Sequence, residues 1–159
     1  MSEELLMKYI IGIVVTPLFL YYWFLRKSRR PSNYLFLAHV YDMVWLRKKA
    51  IATLETALHT RTVSDKERAD LLVRIGMYHL DLKDNSTAVD YFDQFVEAAM
   101  EVQFYYDSKF LRIVEAYQAV GQQERAVAVY RQLLARASFD PDFRKLKRLE
   151  GKLGIQSTL

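Results

Sequence analysis

Cysteine is absent from the 159 residues, and glycine (5), proline (3) and histidine (3) are scarce. Without a thiol there are no disulfides, cysteine-ligated zinc, iron–sulfur clusters or cysteine nucleophiles. So little glycine and proline disfavours turn-rich all-β folds, collagen and low-complexity disorder. Catalytic signatures are missing too: no HExxH, no glycine-rich phosphate loop and no nucleophile elbow occurs. The carboxylates Asp81, Asp84, Asp90, Asp93 and Glu97 fall at turn and helix-surface positions, where solvation is their ordinary role. What is plentiful is apolar side chain, 52% of the total, with a net charge of +4. The expectation is an all-α chain of one module, not an enzyme, with no cofactor and no metal.

Charge is also missing from one long stretch. Tyr9 to Leu25 reads YIIGIVVTPLFLYYWFL, 17 residues without a charge, or 21 if extended back to Leu5 past Lys8. As a helix this spans about 25–30 Å, the thickness of a bilayer core. Tyr21, Tyr22, Trp23 and Phe24 gather at one end, where amphipathic rings favour the headgroup layer. Pro17 is tolerated inside a membrane helix. Arg26, Lys27, Arg29 and Arg30 follow, and the positive-inside rule then puts the rest of the chain in the cytoplasm. A cleaved secretory signal would carry its charges in front and a small-residue site behind, the reverse of this order. Residues 1–30 are therefore expected to be a single transmembrane anchor with a basic juxtamembrane flank.

Beyond it the sequence repeats at a spacing of 38. Ala50, Ala88 and Ala126 are each followed four residues later by a large apolar group, Leu54, Phe92 and Tyr130. Nine residues before each alanine stand Tyr41, His79 and Tyr117, and seven before those Tyr34, Leu72 and Phe110. Ala38, Gly76 and Val114 follow directly on Leu37, Ile75 and Ile113. Leu72-x2-Ile75-Gly76-x2-His79 with Ala88-x3-Phe92 resembles the tetratricopeptide repeat, a helical hairpin in which small residues let two helices approach closely. The spacing of 38 rather than 34, the missing late proline and the absent leading tryptophan depart from that pattern. Copies at about 31–68, 69–106 and 107–144 predict an α-α superhelix of three hairpins, covering about four fifths of the chain.

Helix signals agree. Pro31-Ser32 opens the first helix, Ser64-x-x-Glu67 is a capping box, Asp84-Asn85-Ser86 marks a turn, Asp107 caps the next helix and Gly121 ends it. Asp140-Pro141 starts a last, capping helix over about 141–153, stopped by Gly154 and followed by a tail, 155–159. Phe143, Leu146, Leu149 and Leu153 form its apolar face, and Arg144, Lys145, Lys147, Arg148 and Lys152 surround it.

The resemblance implies protein binding along the concave face made by the first helix of each hairpin. In that register the groove holds Leu35, His39 and Asp42, then Val73, Met77 and Leu80, then Leu111, Glu115 and Gln118, with Arg112 beside them. Some members of the family hold acidic C-terminal tails in a carboxylate clamp. The matching positions are Leu35, His39, Arg74, Ser108 and Arg112, of which only Arg112 has the clamp's character. The expected partner is instead an apolar or amphipathic helical segment of another protein. His79 stands where the repeat wants a core tyrosine, so its role is structural.

The functional expectation is a membrane-tethered adaptor that recruits a protein partner to the cytoplasmic face. A structural subunit of a larger membrane complex is the alternative, and lipid or nucleic-acid binding through the basic C-terminal helix a weaker one. The bacterial plasma membrane is the favoured setting, with the outer mitochondrial membrane as the alternative.

Overall fold

The computed structural model describes Gly12, Tyr21 and residues 31–60, 63–99 and 102–155. Apart from Gly12 and Tyr21, the expected anchor and its flank of Arg26, Lys27, Arg29 and Arg30 lie outside the described residues, as do 156–159 of the tail. Among the described residues no helix is long and apolar enough to cross a membrane, and there is no strand. Among the described residues there are seven α-helices: α1 Pro31–Met43, α2 Arg47–Leu58, α3 Asp65–Asp81, α4 Asn85–Ala99, α5 Lys109–Ala119, α6 Gln123–Ala135 and the short α7 Glu150–Leu153. Stretches of 3-10 helix at Arg136–Ser138 and Pro141–Leu149 precede α7. The chain divides into two compact units, Met1–Thr62 and Val63–Leu159.

The first unit contains the α1–α2 hairpin. Proline suits the first position of α1 because its fixed φ is already helical and its missing N–H would have no partner there. The helix ends with the Leu46 N–H on the Tyr41 carbonyl (2.8 Å) and the Trp45 N–H on the Asp42 carbonyl (3.0 Å). This pair of bonds is a Schellman motif, with Trp45 in the left-handed conformation at φ 62°. The Leu46 carbonyl then accepts from Ala50 and starts α2. Ala38, Ala50, Leu54 and Ala57 are fully buried.

Two further hairpins and a terminal cap make up the second unit. The Ser64 hydroxyl accepts the Glu67 N–H (3.4 Å) and the Glu67 carboxylate accepts the Ser64 N–H (2.9 Å), completing the capping box of α3. Where α3 gives way to α4, Lys83 is left-handed at φ 65°, and Asp84 caps α4 by accepting the Thr87 N–H (3.2 Å). Gly121, at φ 76°, ends α5 in the same way. Trp45, Lys83 and Gly121 are each 38 residues apart, so the repeat fixes the backbone turn as well as the core. Gly76 lies so close to Phe92 that an added Cβ would overlap the ring. Ala88, Phe92, Ala126 and Tyr130 are all buried.

An aromatic cluster joins the second hairpin, the connection to the third, and the cap. Phe110 of α5 stacks on Phe95 of α4 (6.0 Å between centroids) and on Phe143 of the cap (5.6 Å). Phe104 lies 5.2 Å from Phe110 and 5.9 Å from Phe143, and Tyr106 edges onto Phe143 at 5.6 Å. The Asp140 carboxylate ties the connection to the cap, accepting the N–H of Tyr106 (2.8 Å) and of Asp142 (3.0 Å).

One expectation is corrected here: residues 141–149 form a 3-10 helix and only 150–153 an α-helix. The reason is the spacing. Phe143, Leu146 and Leu149 recur every third residue and are all buried, and three residues per turn line them up where an α-helix would rotate them off the ridge. Gly154, left-handed at φ 68°, stops the segment.

Candidate functional site

The residues expected to line a groove have different fates. In the first unit Leu35 is half-buried and His39 exposed on α1. In the second, Val73 is half-buried on α3, but Met77 and Leu111 are core residues, 6% and 4% exposed. Their placement in an open groove is therefore corrected. Buried residues run without a break from Ile75 to Tyr78 on α3. At about 100° per residue, such a run wraps most of a helix's circumference and leaves no open stripe at Met77.

Polar groove candidates on α5 are held by partners within the chain. The Arg112 guanidinium donates to Asp81 (2.6 Å), at the end of α3. The Lys152 ammonium reaches Glu115 (2.6 Å), and the Gln118 amide donates to the Lys152 carbonyl (3.0 Å). Gln123 donates likewise to the Leu153 carbonyl (3.0 Å). The side of α5 that carries Glu115 and Gln118 is thus tied to the end of the third hairpin's own cap. Arg112, the one clamp-like residue, is already paired with a carboxylate.

Sequence reasoning missed the polar ties between neighbouring hairpins and from the third hairpin to the cap, which join residues 20 to 37 positions apart. Asp93 Oδ1 accepts from the Tyr117 hydroxyl (3.0 Å) and from Arg125 Nε (2.8 Å) and Nη2 (2.6 Å). Burial, with the Asp93 charge beside it, pushes the Tyr117 phenol up. The Tyr130 hydroxyl donates to Glu150 (2.7 Å), and burial together with that carboxylate pushes it up as well. Arg136 donates to the carbonyls of Val102 (2.9 Å) and Ala99, closing the C-terminal end of α4, and its guanidinium lies 4.0 Å over the Phe104 ring. Burial lowers its affinity for the proton.

His79 occupies in the second hairpin the place of Tyr117 in the third. Its Nδ1 is 3.1 Å from Asp84, its ring stacks on Tyr91 at 5.5 Å, and its Nε2 is buried without a hydrogen-bond partner. Asp84 is held below the usual carboxylate range by the Thr87 hydroxyl and N–H and, to a smaller extent, by His79. This arrangement fixes a helix N-terminus and presents no nucleophile. Among the described residues no group of histidine and acidic side chains is placed to hold a metal ion. An open depression at the α5–α6 turn is lined by Gly121, Gln122, Gln123, Glu124, Arg125 and Ala128, none of them a nucleophile with a base beside it.

A second missed feature is apolar and exposed. Met43, Val44, Trp45 and Leu46, the whole turn between α1 and α2, face outward, with Trp45 82% exposed. The signal was present as four large apolar residues in succession just before Arg47-Lys48-Lys49, where turns ordinarily carry polar residues.

Residues 69–99 match the family model of the tetratricopeptide repeat. That stretch is the greater part of the α3–α4 hairpin, including the Gly76–Phe92 contact. No curated protein and no solved structure matches the chain.

Proposed function

We propose that this protein is a membrane-tethered interaction module whose helical hairpins recruit a partner protein to the cytoplasmic face of a bilayer, the bacterial plasma membrane being the proposed setting. The carrying observation is the match of residues 69–99 to a repeat that serves protein–protein interaction and is not itself catalytic. The uncharged run from Tyr9 to Leu25 and the basic residues after it support the tether. Confinement to one surface raises the encounter rate of module and partner without any new contact. In the second unit the contact falls on α3, where Val73, Arg74 and Leu80 are half-buried, because the matching side of α5 is taken up by the cap. Val73 and Leu80, seven residues apart, share one face of α3, a spacing that suits contact with an apolar or amphipathic helical segment.

A photo-crosslinking amino acid in place of Val73, used in intact membranes, should capture one protein, while the same probe at the exposed Gln94 of α4 should not. Equal capture at both positions overturns the assignment to α3. Alkaline carbonate should leave the protein in the membrane pellet, and release into the supernatant overturns the tether. A stoichiometric, salt-stable complex in mild detergent would identify a structural subunit in place of an exchangeable adaptor.

A further inference from the structure

We propose that the turn from Met43 to Leu46 is a lipid-inserting element, which seats the first hairpin in the headgroup layer of an anionic bilayer. The inference extends the proposed tether, since the tether brings the turn within reach of lipid, but it rests on separate residues.

Comparison of the three turns sets this one apart. At the positions of Val44, Trp45 and Leu46 the second hairpin has Leu82, Lys83 and Asp84, and the third has Val120, Gly121 and Gln122. The other two turns each carry one apolar residue, Leu82 (39% exposed) or Val120, while here four large apolar side chains in succession face solvent, Met43 at 68% and Trp45 at 82%. Trp45 also takes the left-handed backbone that glycine supplies in the third hairpin, a conformation costly for a bulky residue. Among the described residues almost nothing offsets that strain, since its ring is met by the Arg47 guanidinium 5.6 Å away and is otherwise exposed. Strain held at an exposed aromatic points to a use outside the fold.

The apolar surface continues along α1. Phe36, 57% exposed, lies seven and eight residues before Met43 and Val44, on the same helical face, with Val40 between them. Its ring meets that of Tyr21 at 6.3 Å, so the strip reaches Tyr21. The one charge on α1, Asp42, is matched by Arg47 at 3.2 Å. Lys48 and Lys49 then stand exposed beside the turn. Tryptophan at the level of the headgroups, aliphatic side chains below it and basic residues alongside is the arrangement by which an interfacial element holds an anionic surface.

Full-length protein carrying Trp23→Phe has Trp45 as its sole tryptophan and would be reconstituted with vesicles of phosphatidylcholine, with or without phosphatidylglycerol. We expect Trp45 emission to shift to the blue and to be quenched by lipids brominated near the headgroup, more strongly on the anionic vesicles. Met43→Ser with Val44→Ser, or Lys48→Glu with Lys49→Glu, should lessen that quenching several-fold while circular dichroism is unchanged. Quenching that ignores both pairs of substitutions overturns the inference. So does protein that floats with the vesicles while Trp45 stays open to aqueous acrylamide, a result that leaves the tether standing. Protein that fails to float, yet shows Trp45 quenched by lipid, supports the inference and removes the tether. Failure of both signals overturns both. Shielding of Trp45 that rises with protein concentration in the absence of lipid makes the turn a contact between two copies, which also overturns it.

Discussion

Gly76 of α3 faces the ring of Phe92 on α4 with no room for a β-carbon between them. The contact fixes how closely the two helices of the second hairpin approach. Gly76→Ala forces the ring or the helix to move and should destabilise the second unit by about 1–3 kcal/mol. In a domain of this size each kcal/mol lowers Tm by about 4–8 °C. Combining the substitution with Phe92→Leu should recover part of the loss. An unchanged Tm for Gly76→Ala alone would show that Phe92 can swing aside, and that close approach is not what the glycine supplies.

The three left-handed turn residues give a matched series. Gly121→Ala puts a Cβ at φ 76° and should cost about 1 kcal/mol. Trp45→Gly and Lys83→Gly relieve the same strain and should raise stability by roughly 0.5–1 kcal/mol. Denaturant midpoints at constant slope would measure all three. A loss on Trp45→Gly comparable to that of Gly121→Ala would mean that the indole stabilises the hairpin through contacts of its own.

Asp93 should matter more than Asp81, although each carboxylate meets an arginine. Asp93 gathers Tyr117 and both sides of the Arg125 guanidinium fork, and its removal leaves a buried phenol without an acceptor. Asp93→Ala should therefore cost about 1–2 kcal/mol. Asp81→Ala breaks a single surface pair in which Arg112 is exposed, so that no buried group is left without an acceptor, and should cost about 0.5–1 kcal/mol or less. Urea denaturation of the two variants side by side tests the ranking.

Carboxylates at helix N-termini predict an acid response. Glu67, held by the Ser64 N–H and hydroxyl, Asp84, held by Thr87, and Asp140, held by the N–H groups of Tyr106 and Asp142, are all lowered below their ordinary values. A carboxyl that gives up its proton more readily when folded contributes stability in full above its unfolded pKa of about 4. That contribution is lost as the pH falls through the folded value. The urea midpoint should accordingly be level from about pH 7 to 5 and fall below that. Asp140→Asn keeps an acceptor but cannot titrate, and should make the fall shallower. A profile identical to that of the parent protein would show that Asp140 takes no part.

Much of the fold could be read from the sequence because repeats state the same requirement more than once. Ala50, Ala88 and Ala126 announce close helix contacts by recurring with a large residue four positions on, and all three are buried. Ser64 and Glu67 announce a helix start because both halves of a capping box are local. The register of the repeat puts Met77 and Leu111 on an open concave face, but α3 and α5 are enclosed over most of their circumference and both side chains are core. The 3-10 segment escaped because apolar residues three apart fit an α-helical face nearly as well over one or two turns. Asp93, Tyr117, Arg125 and Arg136 gave no local sign, since their partners are brought together only by tertiary structure.

Arg136 has a consequence for how the second unit comes apart. A row of hairpins touching only at apolar faces can fray from one side, shedding its outermost member while the others persist. Here the outer hairpin sends a guanidinium back to the open carbonyls of its neighbour's last turn. Neither can let go without giving up both of those charge-assisted bonds and the contact of the guanidinium with the Phe104 ring. Melting is thereby pushed toward a single concerted event, and the loss of one hairpin is felt at once by the next.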